Sequence, residues 1–140
     1  LHTHKSHIDD VAEITEIAHK AGLLCEAYIT DNDTLGVNAG TDEELVQTIR
    51  DFEAVGVDMI GLCTGQTYKG QSATGFSDDF VRRMELFVKE TNVIKILEGG
   101  IKQGNIEAVK DIGFDILVIS TAIDNYLEDK TIEIVAELNK

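Results

Sequence analysis

Proline and tryptophan are absent from this chain of 140 residues, and only two cysteines occur. A chain without proline has no proline-rich arm or stiff linker, which argues against disorder. Cys25 and Cys63 are too few for a disulfide scaffold and suit a reducing compartment, so a cytoplasmic protein is expected. Positive charge is also scarce. Twelve Lys plus Arg stand against 26 Asp plus Glu, a formal net charge of -14. That balance disfavours nucleic acid and anionic membranes as partners. Neither a signal peptide nor an apolar run of about 18 residues is present.

What is present suffices for one folded domain. Hydrophobic residues make up 43%, enough for a real core at this length. Helical and extended patterns alternate along the chain. A capping pattern at Ser6 and Asp9 opens a helix to about Ala21, with Val11, Ile14, Ile17 and Ala18 as its apolar stripe. Gly22 stops it. Leu23–Ile29 reads as a strand with Leu24, Glu26 and Tyr28 on one side. Thr41 and Glu44 form a capping box for a helix carrying Leu45, Ile49 and Phe52. Val57–Leu62 is the next strand. Ser77 caps a helix with Phe80, Met84, Phe87 and Val88 buried. Val93–Leu97 and Asp115–Ile119 are two further strands, separated by a short helix over Asn105–Ile112. The tail Lys130–Leu138 is helical, packing through Ile134, Val135 and Leu138. Short apolar strands, each followed by a helix, predict a parallel α/β sheet.

The strand C-terminal ends carry the chemistry. Glu98-Gly99-Gly100-Ile101 and Ser120-Thr121-Ala122-Ile123 are junctions of small residues after neighbouring strands. Backbone N–H groups at such turns, helped by a helix dipole, can hold a phosphate. With so acidic a chain, phosphate binding has to be local and made by amides. Glu26 is a carboxylate inside an apolar strand, costly unless paired or functional; the bland alternative is an edge strand with Glu26 in water. Lys95 pointing inward would have a lowered pKa suited to Schiff-base or proton-transfer chemistry. Long polar loops follow two strands, Thr30–Gly40 and Cys63 to Gly75. In the second, Lys69 is a candidate phosphate contact, with a solvated lysine as the plain alternative. His2, His4 and His7 crowd the N-terminus. They could bind metal, form an irregular tag-like end, or put His2 and His4 on an active-site rim beyond a truncated strand.

Together, Gly56-Val57-Asp58, Cys63-Thr64-Gly65, Glu98-Gly99-Gly100-Ile101 and Gly113-Phe114-Asp115 leading into Ser120-Thr121-Ala122-Ile123 resemble the ribulose-phosphate-binding barrels. The nearest pattern is that of 3-hexulose-6-phosphate synthase and its keto-gulonate-phosphate decarboxylase relatives. The resemblance covers about residues 9–125. It implies a TIM-barrel-like fold, with residues 1–140 forming the C-terminal four βα units, a phosphate-binding half barrel of parallel strands. It implies that Gly99, Gly100, Thr121 and Ala122 bind a substrate phosphate through their amides. It places Glu26 as an active-site acid on the fifth strand, one that could also meet Mg²⁺. Beside it, the residues' own strand positions offer Glu98 as a second carboxylate and Lys95 as a further catalytic candidate. His4, Cys63, Thr64 and Lys69 would stand on the rim, and Cys63 occupies the position where the synthases carry a histidine before Thr-Gly. The implied activity is that of a lyase or isomerase acting on a sugar phosphate through an enolate-type intermediate. Two other readings stand beside it: a non-catalytic ligand-binding or regulatory domain, and an open four-stranded α/β protein such as a response-regulator-like fold. Four strands cannot close a barrel of eight. The chain is therefore expected either to continue upstream of Leu1 or to form a homo-oligomer.

Overall fold

In a computed structural model, described for residues 8–30, 37–38, 40–63, 76–102 and 104–138, local sequence signals set the helices. Helix α1 spans Ile8–Lys20. Helix α2, Asp42–Ala54, begins at the Thr41 capping box. The Thr41 hydroxyl accepts the Glu44 N–H at 3.1 Å and the Glu44 carboxylate accepts the Thr41 N–H at 3.1 Å. Two of the donors that a helix start leaves without partners are thereby satisfied. Helix α3, Asp78–Glu90, is capped by Ser77, which accepts the Phe80 N–H at 3.2 Å.

The strands are β1 (Glu26–Thr30), β2 (Val37–Asn38), β3 (Met59–Cys63), β4 (Ile94–Glu98) and β5 (Ile116–Val118). All pair in parallel, in the order β2-β1-β3-β4-β5. Apart from the two-residue β2 at the edge, strand order follows chain order. The sheet puts Ala27 and Ile29 of β1, Ile60 and Leu62 of β3, and Leu97 of β4 into one buried cluster. Val11 of α1, Leu45, Ile49 and Phe52 of α2, and Phe80, Met84 and Phe87 of α3 complete it. Three helices thus cover one face of a sequentially ordered parallel sheet. A doubly wound sheet would carry helices on both faces. The arrangement is instead four parallel βα units forming an open sheet, which matches a C-terminal half-barrel arrangement. No helix among the described residues is long and apolar enough to cross a membrane.

Several expectations need correction. The first strand starts at Glu26, not Leu23; Leu23 and Leu24 are exposed, outside the hydrogen-bonded ladder. The loop after β1 contains β2. The short helix over Asn105–Ile112 is one 3₁₀ turn, Ile106–Ala108. The last helix, α4, runs from Thr121 to Leu138, far longer than expected. Ile134, Val135 and Leu138 are not a packing stripe, because each is at least half exposed. Ile123, Tyr126, Leu127 and Ile132 of α4 are more than half exposed as well.

Candidate functional site

Parallel pairing sets which side chains share a face. Glu26 pairs with Met59, Tyr28 with Gly61 and Thr30 with Cys63 across β1 and β3. Met59, Gly61 and Cys63 pair in turn with Ile94, Ile96 and Glu98 of β4. Since side chains alternate along a strand, Glu26, Tyr28, Gly61, Cys63 and Glu98 all lie on the face turned away from the helices. In a closed barrel this would be the inside.

Glu26 and Glu98 stand at opposite ends of their strands and two strands apart, so they do not meet directly. Tyr28 shares their face, two residues along β1 from Glu26. Burial, then Glu26, then Glu98 hold its phenol protonated well above the usual tyrosine range. Gly61 makes room for the Tyr28 ring. A Cβ there would come within 2.5 Å of Cδ1 and Cε1 of the Tyr28 ring and 3.1 Å of Glu26 Oε1. The ring lies across the backbone of β3 because no side chain blocks it. Cys63 is buried beside Glu98 in the ladder.

The turn after β4 stands beyond the C-terminal end of the same face. Gly99 and Gly100 have φ of 92° and 68°, the left-handed region that favours glycine. Asn105, which is buried, fixes the turn: its Nδ2 donates to the Gly100 carbonyl at 2.8 Å and its Oδ1 accepts the Lys102 N–H at 2.8 Å. On the neighbouring strand, the start of α4 folds back on Ser120, whose carbonyl accepts the N–H groups of Ile123 at 2.8 Å and Asp124 at 3.1 Å. An anion at this junction would have to use the amides of Thr121 and Ala122. Glu98 pairs with Val118, so the two junctions lie side by side at one end of the sheet.

Lys95 is not brought to this cluster. It alternates with the glutamate face, and its Nζ stands 3.1 Å from Asp115 Oδ2 near the N-terminal end of β4. Its backbone N–H donates to the same oxygen at 2.8 Å, and these contacts hold Asp115 below the usual carboxylate range. His4, Thr64 and Lys69 lie outside the described residues, as do His2 and His7. Among the described residues, no three His, Cys, Asp or Glu side chains gather as a metal site.

Tyr28, Gly61 and Asn105 carry much of this geometry and were not read from the sequence as site residues. A signal for Tyr28 was present, because it shares strand parity with Glu26. Gly61 was hidden inside an apolar run. No protein-family model matches this chain, and no curated protein matches it either.

Proposed function

We propose that this half barrel acts on a small phosphorylated sugar, as a lyase or isomerase that passes through an enolate-type intermediate. The observation that carries the reading is the pair of carboxylates, Glu26 and Glu98, on the one face that a barrel would enclose. Glu98, at the C-terminal end of β4, stands where barrel enzymes keep their acid–base groups, and Glu26 enters the reading through its place on the inner face at the start of β1. In this reading Glu26 removes the proton from the carbon beside the substrate carbonyl, and Glu98 serves as the second carboxylate. The phosphate rests on the amides of Gly99, Gly100, Thr121 and Ala122. The glycine pair at positive φ and its Asn105 brace favour this, since a fixed turn binds an anion without having to be ordered first.

In this reading Glu26 would hold Mg²⁺, with waters and substrate oxygens completing its shell, as that ion commonly binds. When bound it would polarise the substrate carbonyl. Proton removal by Glu26 is the chain's own part. A barrel closes with eight strands. The proposal therefore includes further strands, from the same polypeptide or from a second copy, and excludes nucleic acid and membranes as partners.

The test is turnover of pentulose and hexulose phosphates by the full-length protein and its Glu26→Gln variant. A lost acid–base group should slow kcat/KM by about 10²–10⁴-fold. Equal rates would remove Glu26 from the mechanism.

A further inference from the structure

Asn105 stands one residue ahead of the 3₁₀ turn Ile106–Ala108, where an asparagine side chain would ordinarily cap, yet it caps nothing there. It is 3% exposed, and both ends of its amide are spent on the turn after β4 instead. Nδ2 donates to the Gly100 carbonyl and Oδ1 accepts the Lys102 N–H, each at 2.8 Å. The Asn105 N–H donates to the Lys102 carbonyl at 3.0 Å. A trans peptide is planar, with its C=O and N–H pointing in opposite directions, and the described peptides are trans. Holding the Gly100 carbonyl on Asn105 therefore turns the Ile101 N–H away from Asn105. The Ile101 side chain is anchored in the buried cluster, which fixes the other end of this segment. Neither the Gly100 nor the Ile101 N–H makes a backbone hydrogen bond among the described residues.

We propose that Asn105 is the positioning residue of the phosphate turn, and that the Ile101 N–H it directs is a phosphate donor besides the four amides named above. This rests on the phosphate reading of the site. Glycines at positive φ give a peptide more than one direction to take. A turn that has to be ordered when the anion arrives binds it more weakly. Asn105 removes that cost by holding the Gly100–Ile101 peptide from its buried side. It uses one donor and one acceptor, a pair that an ionised aspartate cannot supply and an alanine lacks altogether. The net charge of -14 makes the aim of neutral amides all the more decisive for an anion.

The probe is inorganic phosphate, titrated into the isotope-labelled full-length protein and followed by amide NMR and calorimetry. The Gly100 and Ile101 N–H resonances should move together with those of Thr121 and Ala122. Asn105→Ala should weaken phosphate by about 10- to 10²-fold, the range for losing one hydrogen bond to a charged group. In that variant the Ile101 response should shrink while those of Thr121 and Ala122 persist. Asn105→Ser keeps a hydroxyl that can donate to Gly100, and should fall between the parent and Asn105→Ala. In turnover of sugar phosphates, Asn105→Ala should raise KM and leave kcat nearly unchanged, because the phosphate is held equally in substrate and transition state. A residue that only stabilised the fold would leave the KM of the folded fraction alone. If Thr121 and Ala122 respond to phosphate and Ile101 does not, Ile101 is no donor, and this inference falls while the phosphate reading stands. If no amide of either junction responds, both fall. An Asn105→Ala variant that binds phosphate like the parent overturns the positioning role. Should Asn105→Ala fail to fold, Asn105→Ser and the Ile101 response of the parent decide in the same way.

Discussion

The two faces of the sheet are built from alternate residues of the same strands, yet they are opposite in character. Towards the helices, Ala27, Ile29, Ile60, Leu62 and Leu97 are sealed from water. Away from them Glu26, Tyr28 and Glu98 are half-buried and Ile94 and Ile116 are exposed at more than a third of their surface, while Thr30, Gly61, Cys63 and Ile96 between them are buried. Parallel strands buried on both sides read as unbroken apolar runs. Here β1 alternates Glu-Ala-Tyr-Ile-Thr, and the alternation separates stability from chemistry within five residues. The helix face supplies the burial that folds the domain. The open face can therefore carry charge and an empty position at Gly61 without costing the core.

The largest effect that would test this separation lies in the helix face. Phe87 is fully buried and stacks on Phe114, with centroids 5.7 Å apart and ring planes at 20°. Phe87→Ala should destabilise the domain by about 3–5 kcal/mol in urea denaturation, from lost burial and the cavity left behind. Phosphate affinity of the folded fraction should not change. A parallel loss of binding would mean that the two faces are energetically coupled.

The converse substitution is Gly100→Asp. It puts a negative charge and a side chain where the phosphate would rest, at a backbone angle of φ 68°. Sugar-phosphate affinity should fall at least tenfold, about 1.4 kcal/mol. Stability should fall by about 1 kcal/mol from the left-handed backbone alone. Unchanged affinity would remove the phosphate from this turn.

Features set by neighbouring residues were legible in the sequence. The Thr41–Glu44 box, the Ser77 cap and the buried stripes of α2 and α3 lie where the sequence pattern puts them, because each is decided within one or two helical turns. Strand positions were right to within a few residues, and Glu26 stood out because carboxylates are costly in apolar runs. Features decided by register were not legible. Whether Tyr28 crosses β3 depends on its pairing with Gly61, thirty-three residues away in sequence, and periodicity carries no such information. The same holds for Lys95, whose direction follows from β3–β4 pairing. The start of α4 at Thr121 falls in a junction of small residues that reads as a turn.

The smallest expected effect concerns the end of the sheet far from the glycine turn, where a repeated device closes the ladder. Gly56-Val57-Asp58 precedes β3 and Gly113-Phe114-Asp115 precedes β5. Each aspartate sits one residue ahead of the first bridged pair, Glu26 with Met59 and Ile96 with Ile116. Asp58 Oδ2 accepts the Cys25 N–H at 2.7 Å and stands 2.8 Å from His19 Nε2. Asp115 does the same for the Lys95 N–H. In both, the backbone hydrogen bond is the leading cause that holds the carboxyl below its usual range, followed by the side chain of His19 or Lys95. A depressed folded pKa stabilises the protein above the unfolded value of about 3.9, and that contribution is lost as pH falls through the lower folded pKa. Asp58→Asn should therefore cost on the order of 1 kcal/mol at pH 7 in urea denaturation, the scale of a net charge-assisted hydrogen bond. The gap to the parent should narrow below about pH 4. Asp115 has 48% side-chain exposure against 26% for Asp58, so water screens it more, and Asp115→Asn should cost only a few tenths of a kcal/mol. Neither substitution should alter phosphate affinity, since both aspartates lie at the N-terminal ends of the strands. A gap that stays constant down to pH 3 would show that the Asp58 carboxylate charge is not what secures the ladder, leaving geometry alone to hold β1 against β3.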